Sequence, residues 1–375
     1  MNAAPAVTTE HPDHRFRAVA ITDGTMRAND ALTRATRLLP EDMAWHLATV
    51  VDPHPSLLIA TAGATSVGGP VVSPAELDRQ VVERRTAGAS ALANTVPVFE
   101  HAAVESVVLS GHGTAPIVEY VDEHGLELIV SPTPVRHANA TDRYGDLADD
   151  LVGSSPVPLF VVPTGGEQPI GEGPATDAAI DPATDPAVEG FPDGITLVIA
   201  VDDTHLDQMI VEVALDVFDR PSKKHARDES ASDETAGRGR RDVYGVVVHI
   251  DPDVDSILSF PFSSGVMGSG GAALAALTEQ LDDEGRHAPR AASRVAEQVA
   301  TRLGDDRTTA IGDVGDPADA ILRLAEEHQA DVIVVGTRNR SWFSRLFDPS
   351  VAGAVADRAR RPVLVVRSEL GTATK

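Results

Sequence analysis

The sequence predicts an α/β protein made of two doubly wound domains, each a five-stranded parallel sheet covered by helices on both faces. Three observations predict it. The chain repeats itself once, with a period of about two hundred residues. Each copy alternates uniformly Val/Ile/Leu runs with Ala/Leu-rich helical stretches, and strands that are apolar on both faces belong to a parallel sheet buried on both sides. Between the copies lies a stretch that cannot build a core.

The repeat is read from four pairs of segments. "AITDGTMRANDALTRATRLL" (20–39) matches "AVDDTHLDQMIVEVALDVF" (200–218), so Asp23-Gly24-Thr25 falls on Asp202-Asp203-Thr204. "HLATVVDP" (46–53) matches "GVVVHIDP" (245–252), and "EHGLELIVSPT" (123–133) matches "EHQADVIVVGT" (327–337). "VPLFVV" (157–162) falls on "RPVLVV" (361–366), without a gap from His124/His328 onward. One repeat of this length means duplicated domains rather than a solenoid.

Each copy then reads in the same order. A β-branched strand, "RAVAITD" or "ITLVIAVD", leads into an Ala/Leu helix. A second strand ends in Asp-Pro, and a long loop leads to a helix over 77–93 or 290–303. A third strand is expected to end at Gly113 or Gly315, followed by a helix that closes at His124 or His328. Strand "LELIV" or "DVIVV", a loop, a last helix and "PLFVV" or "PVLVV" complete the unit. In such a fold the ligand crevice lies at the carboxyl ends of the first and fourth strands.

The expected organisation is a flexible tail at 1–14, domain one at 15–163, a linker at 164–194 and domain two at 195–368. The linker holds seven acidic residues, five prolines and no basic residue; that composition reads as an extended, self-repelling segment. Segment 219–242, "DRPSKKHARDESASDETAGRGRRD", reads as a mobile insertion in domain two.

Composition excludes several function classes. The chain has 375 residues, 57 Asp+Glu against 31 Lys+Arg, and a formal charge of −26. That charge opposes nucleic acid and anionic membrane surfaces. Lys223, Lys224 and Lys375 are the only lysines, and no cysteine is present, so disulfides and thiolate sites are excluded. No signal-peptide pattern or membrane-length apolar run is found. The expectation is a cytoplasmic protein, and the acidic, lysine-poor composition fits a halophile, with an acidic mesophilic surface as the alternative.

The strand-one segment "VDDT" (201–204), the strand-four segment "DVIVVGTRNRSWFSRLFDPSV" (331–351) and the closing "PVLVV" together resemble the universal stress protein family. The resemblance covers about four-fifths of the chain, as two such domains in tandem, and implies a stress-response or regulatory role. In nucleotide-binding members the loop reads Gly, two residues, Gly, nine residues, then Gly-Ser or Gly-Thr. The glycines let backbone N–H groups approach the phosphates, and the hydroxyl sits at a helix N-terminus.

In copy two, Gly336 matches the first glycine, Asn339 stands at the second, Pro349 at the third, and Ser350 supplies the hydroxyl. Asparagine is the residue that best tolerates a glycine conformation. Arg338, Arg340 and Arg345 supply charge where amides are missing; the alternative is a solvated basic loop. Asp202, with Thr204 beside it, matches the residue that receives adenine or ribose. The implied ligand is ATP or another adenine nucleotide with Mg2+, held weakly by copy two.

Copy one departs further: Pro132 and Val135 replace the glycines, Gly145 survives, and Asp146 replaces the hydroxyl. It is expected to be structural. Family domains associate through the last strand, so 159–162 and 363–366 are expected to form an internal pair. A homodimer and an unidentified protein partner are further expectations.

"MGSGGAAL" (267–274) fits a dinucleotide fingerprint only superficially, and "DPDVDS" (251–256) fails as a calcium loop because Ser256 stands where glycine is required. His249 reads as a core histidine, and His124 and His328 as helix-end cations. No Walker motif, catalytic triad or paired carboxylates are found, and acids occupy the Ser/Gly-rich turn of the related nucleotide hydrolases. No enzymatic activity is expected, and any ATP hydrolysis would be slow. The alternative to a nucleotide-binding regulator is a nucleotide-free interaction module that recruits a partner through its linker, insertion or sheet edge.

Overall fold

The computed structural model describes residues 16–51, 74–99, 102, 104–111, 113–133, 143–164, 194–201, 206–219, 242–251, 288–337 and 351–367. Domain one contains β1 (Arg17–Ile21), α1 (Met26–Leu38), β2 (Ala44–Val51), α2 (Pro74–Thr95), β3 (Val104–Ser110), α3 (Ala115–His124), β4 (Leu128–Thr133), α4 (Arg143–Ser154) and β5 (Leu159–Pro163). Domain two repeats the order with β6 (Gly194–Val201), α5 (Leu206–Phe218), β7 (Asp242–Asp251), α6 (Ala288–Leu303), β8 (Thr308–Val314), α7 (Pro317–Glu327), β9 (Val332–Thr337), α8 (Val351–Arg358) and β10 (Val363–Arg367). The third strand of copy one stops at Ser110 rather than Gly113, because the chain turns at Gly111, whose φ is +154°.

The strands form one ten-stranded sheet in the order β3-β2-β1-β4-β5-β10-β9-β6-β7-β8. Within each domain all pairs are parallel. The sequence dictates this, because the central strands bury side chains on both faces and need a helix layer on each. β4 is buried along all but its last residue and β5 throughout. The outer strands β3 and β8 are mostly half-exposed or exposed, as befits edges with one neighbour.

Domain meets domain at an antiparallel ladder, with Val363 opposite Val161, Leu364 opposite Phe160 and Val365 opposite Leu159. Two apolar cores run across this seam. One packs α1, α2, α5 and α6 on Phe160, Val162, Leu364 and Val366. The other packs α3, α4, α7 and α8 on Leu159, Val161, Val363 and Val365. Phe160 of β5 meets Phe218 of α5 edge-on at 5.9 Å, and Arg367 donates to the Ser155 carbonyl at 2.7 Å. The alternation along β5 and β10 sends successive residues to opposite cores, as strand geometry requires.

Candidate functional site

The strand order reverses between β6 and β9. From β6 the sheet continues to β7 on one side, and from β9 to β10 on the other. Helices leave on opposite faces there, and a crevice opens at the carboxyl ends. The register sets the two ends level: Leu197 lies opposite Val332 and Ile199 opposite Val334, so Val201 comes level with Gly336. Gly336 in turn lies opposite Val366 of β10.

Gly336 is the predicted site residue that the structure describes. It is exposed near the end of β9. A Cβ there would stand 2.3 Å from Cδ1 of Ile210 on α5, so the glycine leaves room for the tip of that side chain over the strand end. Asp202, Thr204, Arg338, Asn339, Arg340 and Ser350 lie outside the described residues. So do Arg345, Pro349, Val135, the 267–274 segment, the 1–14 tail and nearly all of the linker and insertion. By chain position Asp202 follows the last residue of β6, Arg338 follows β9, and Ser350 precedes α8.

The equivalent crevice of domain one is described in more detail. Thr25 caps α1 by accepting from the Ala28 N–H at 3.3 Å. Asp23 turns its carboxylate into its own loop, where Oδ1 accepts from the Thr25 N–H at 2.8 Å and the Thr25 hydroxyl at 2.6 Å. Thr22 Oγ1 accepts from the Gly24 N–H at 3.0 Å and shares a hydrogen bond with Thr95 Oγ1 at 2.9 Å. Asn29 donates to the Asn94 carbonyl at 3.1 Å and accepts from Thr95 at 2.8 Å.

These bonds tie the strand-one loop to the end of α2. Gly24 has a φ of +74°, and a Cβ on it would lie 2.4 Å from Cα of Ala91. The loop therefore rests on the α2 backbone. On the other side of the crevice, β4 carries Pro132, which has no N–H to offer a phosphate. By chain position Asp146 falls in the first turn of α4.

A second cluster was not legible in the sequence. At the amino ends of the domain-one strands, buried His46 on β2 hydrogen-bonds Tyr120 of α3 through Nδ1 at 2.8 Å. The ring centroids of Tyr120 and His124 are 4.0 Å apart, and His124 Nδ1 lies 3.0 Å from the Tyr120 carbonyl. Arg17 reaches to 3.5 Å of His46 Nε2 and Glu105 to 3.9 Å of Nδ1. Burial holds the His46 pKa below its ordinary value, against the opposing pull of Glu105, with Arg17 and His124 adding to the depression. Burial and Glu105 push the Tyr120 hydroxyl up. His124 thus does more than complement a helix end: it closes an aromatic stack. His249 is buried in β7.

Among the described residues no group of three or more His, Asp and Glu side chains is arranged to hold a metal, and no helix is long and apolar enough to cross a membrane.

A universal stress protein of Methanocaldococcus jannaschii is 32% identical over 91 residues, which is 24% of this chain and 51% of the relative. The chain therefore spans about half the length of that curated relative. A solved universal stress protein from Archaeoglobus fulgidus matches 94% of this chain and 96% of its own, at 13% identity and a TM-score of 0.46. Another, solved in complex with cAMP, matches 40% of this chain and 98% of its own, at 18% identity and a TM-score of 0.28. The universal stress protein family model matches residues 15–163 and 263–367, well over half of the sequence, and the chain belongs to that family.

Proposed function

We propose that this protein is a cytoplasmic stress-response regulator in which domain two holds an adenine nucleotide weakly and domain one is its structural partner. The observation that carries the reading is the register of β6 against β9. It sets Val201, which leads into Asp202, level with the exposed glycine that leads into the arginine-rich loop. Asp202, with Thr204 beside it, receives the adenine or ribose. The backbone from Gly336, with Arg338, Asn339 and Arg340, approaches the phosphates, and Ser350 offers a hydroxyl and amide just before α8. Mg2+ would accompany ATP on the phosphates.

Domain one supports the division of labour. Its strand-one loop is bonded to α2, its fourth strand carries Pro132 one residue before its end, and it contributes the β5 edge to which β10 pairs. We read the pair as the working unit, formed within one chain.

The test is calorimetric titration of MgATP into the full chain in molar KCl, beside Asp202→Ala and Ser350→Asp. Titration of cAMP, the ligand of a solved relative, runs in parallel. Saturable heat in the parent that disappears in both variants is expected. A folded parent that binds neither nucleotide would overturn the reading and leave the interaction-module alternative.

A further inference from the structure

Four arginines of domain two gather at the opposite end of its strands from the crevice at Gly336. Arg323 of α7, Arg358 at the end of α8, and Arg360 and Arg361 in the turn before β10 surround a cleft of about 180 Å³. Its floor is apolar, with Ala325 buried on α7 and Ile333 at the start of β9. The space is ample for a small tetrahedral anion.

Two of these arginines have local partners. Arg323 bonds Glu327 at 2.7 Å and also Asp313, and Arg358 bonds Asp319. Arg360 and Arg361 have no ion-pair or hydrogen-bond partner among the described residues. Glu326 is the one carboxylate that lines the cleft itself. Two unpaired guanidiniums lining one small cleft repel each other, and an oxyanion that accepts from both relieves that repulsion.

The fold does not require this arrangement. The gapless offset between the copies puts Glu119, Ser154, Pro156 and Val157 of domain one where Arg323, Arg358, Arg360 and Arg361 stand in domain two. Domain one builds the same helix pair and strand with no arginine at those four positions. One cation in the last turn suffices to complement a helix C-terminus, and Arg358 is that residue in α8. Arg360 and Arg361 lie beyond it. On a chain of charge −26, such a cluster attracts an anion over short range only, since distant charges are screened within about 10 Å at 0.1 M salt.

We propose that this cleft is a binding site for a small phosphate-bearing dianion, either free phosphate or the phosphate end of a nucleotide. The planar guanidiniums of Arg360 and Arg361 would make the charge-assisted bonds, with the ion-paired Arg323 and Arg358 as the walls. The site is separate from the crevice at Gly336, because the two lie at opposite ends of β9.

The test is titration of inorganic phosphate into the full chain at fixed KCl, followed by phosphorus line broadening and by the thermal midpoint. AMP forms a second arm and adenosine a third. Saturable phosphate binding is expected to weaken by about tenfold or more in Arg360→Gln/Arg361→Gln. Arg360→Lys/Arg361→Lys keeps the charge and should retain part of it, and Arg302→Gln, which removes a cation elsewhere on domain two, should leave it unchanged. AMP binding as tightly as phosphate, with adenosine silent, assigns recognition to the phosphate group; tighter AMP binding that the arginine variant abolishes assigns the nucleotide as source. Several results would overturn the proposal. They are absence of saturable binding, binding indifferent to the arginine variant while the spectrum stays native, or binding that appears only when the seven linker carboxylates are converted to amides. The last would give the cleft to the chain's own linker.

Discussion

Gly24→Ala tests the claim that domain one's crevice is closed by α2. Two costs add. Alanine at a φ of +74° enters the left-handed region, at about 1–2 kcal/mol. Its methyl would also lie 2.4 Å from Cα and 2.7 Å from Cβ of Ala91, against an ordinary carbon separation of about 3.5–4.0 Å. The nearest atom is helix backbone, so relief requires α2 itself to move, at about 1–3 kcal/mol. The sum is about 2–5 kcal/mol. Gly125→Ala is the control: it has a φ of +58° and nothing within 4 Å, and should cost only the conformational part, about 1–2 kcal/mol. Trp45 is a built-in reporter, since it is buried and its ring lies 5.0 Å from Phe99, just after α2. In a Trp342→Phe background, its fluorescence follows domain-one unfolding in urea and molar KCl. A Gly24→Ala cost no greater than that of Gly125→Ala would refute the packing argument, and with it the claim that the loop rests on α2.

Four further outcomes are expected. Phe160→Ala removes a fully buried ring that packs on Phe218 across the domain seam; it should cost about 3–5 kcal/mol, and calorimetric scans should show the two domains melting more independently. Asp316→Ala deletes the cap that accepts from the Asp319 N–H at 2.8 Å, and should lower the urea stability of domain two by about 1 kcal/mol. His46 has its folded pKa held below the ordinary 6.5; its contribution is complete above pH 6.5 and is lost as pH falls through the folded value, since the unfolded chain then binds the extra proton. The urea midpoint should therefore fall with acidification below pH 6.5, and His46→Gln should flatten that part of the profile. Finally, a formal charge of −26 makes self-repulsion a cost at low ionic strength, so the thermal midpoint should rise as KCl is raised from millimolar to molar.

The fold was legible because it is written in redundant signals. The runs around Ala18–Ile21, Leu128–Val130 and Val332–Val335 are apolar at every position, and their short length and β-branched content separate such strands from the helices that alternate with them. The duplication supplied a second reading of each element. Thr25 and Asp316 cap α1 and α7 in the structure, residue types that the N-cap position favours. The third strand's end was not legible, because Gly111 and Gly113 are both turn signals and the first of them takes the turn. At the candidate site, the chain position of Gly336 was legible, but its contact with Ile210 was not, since it depends on the angle at which α5 crosses the sheet. The His46 cluster was hidden for a similar reason: Arg17, His46, Glu105 and Tyr120 come from four elements, and no local spacing links them. The arginine cleft shows the same limit. "ARRPVLVV" reads as a basic turn before a strand, and only the fold brings Arg323 from α7 to its side.

The antiparallel ladder between β5 and β10 has a consequence for how the two halves divide the surface. Every strand of domain one runs opposite to every strand of domain two. The carboxyl ends of β1 and β4, with their closed loop, therefore share a sheet edge with the amino ends of β6, β9 and β10. That edge holds the arginine cleft, and the crevice at Val201 and Gly336 opens at the other. A ligand at one site cannot touch the other directly. Any coupling between them must pass along the buried strand β9, from Ile333 to Gly336, or through the two helices that flank it. Those elements belong to continuous cores on both faces, and densely packed interiors transmit strain. If both sites bind, the linkage is reciprocal: phosphate at the cleft must change nucleotide affinity by the factor by which nucleotide changes phosphate affinity. Titrating each ligand with and without the other measures that factor from both directions, and a factor of one from both would mean that β9 carries two independent sites.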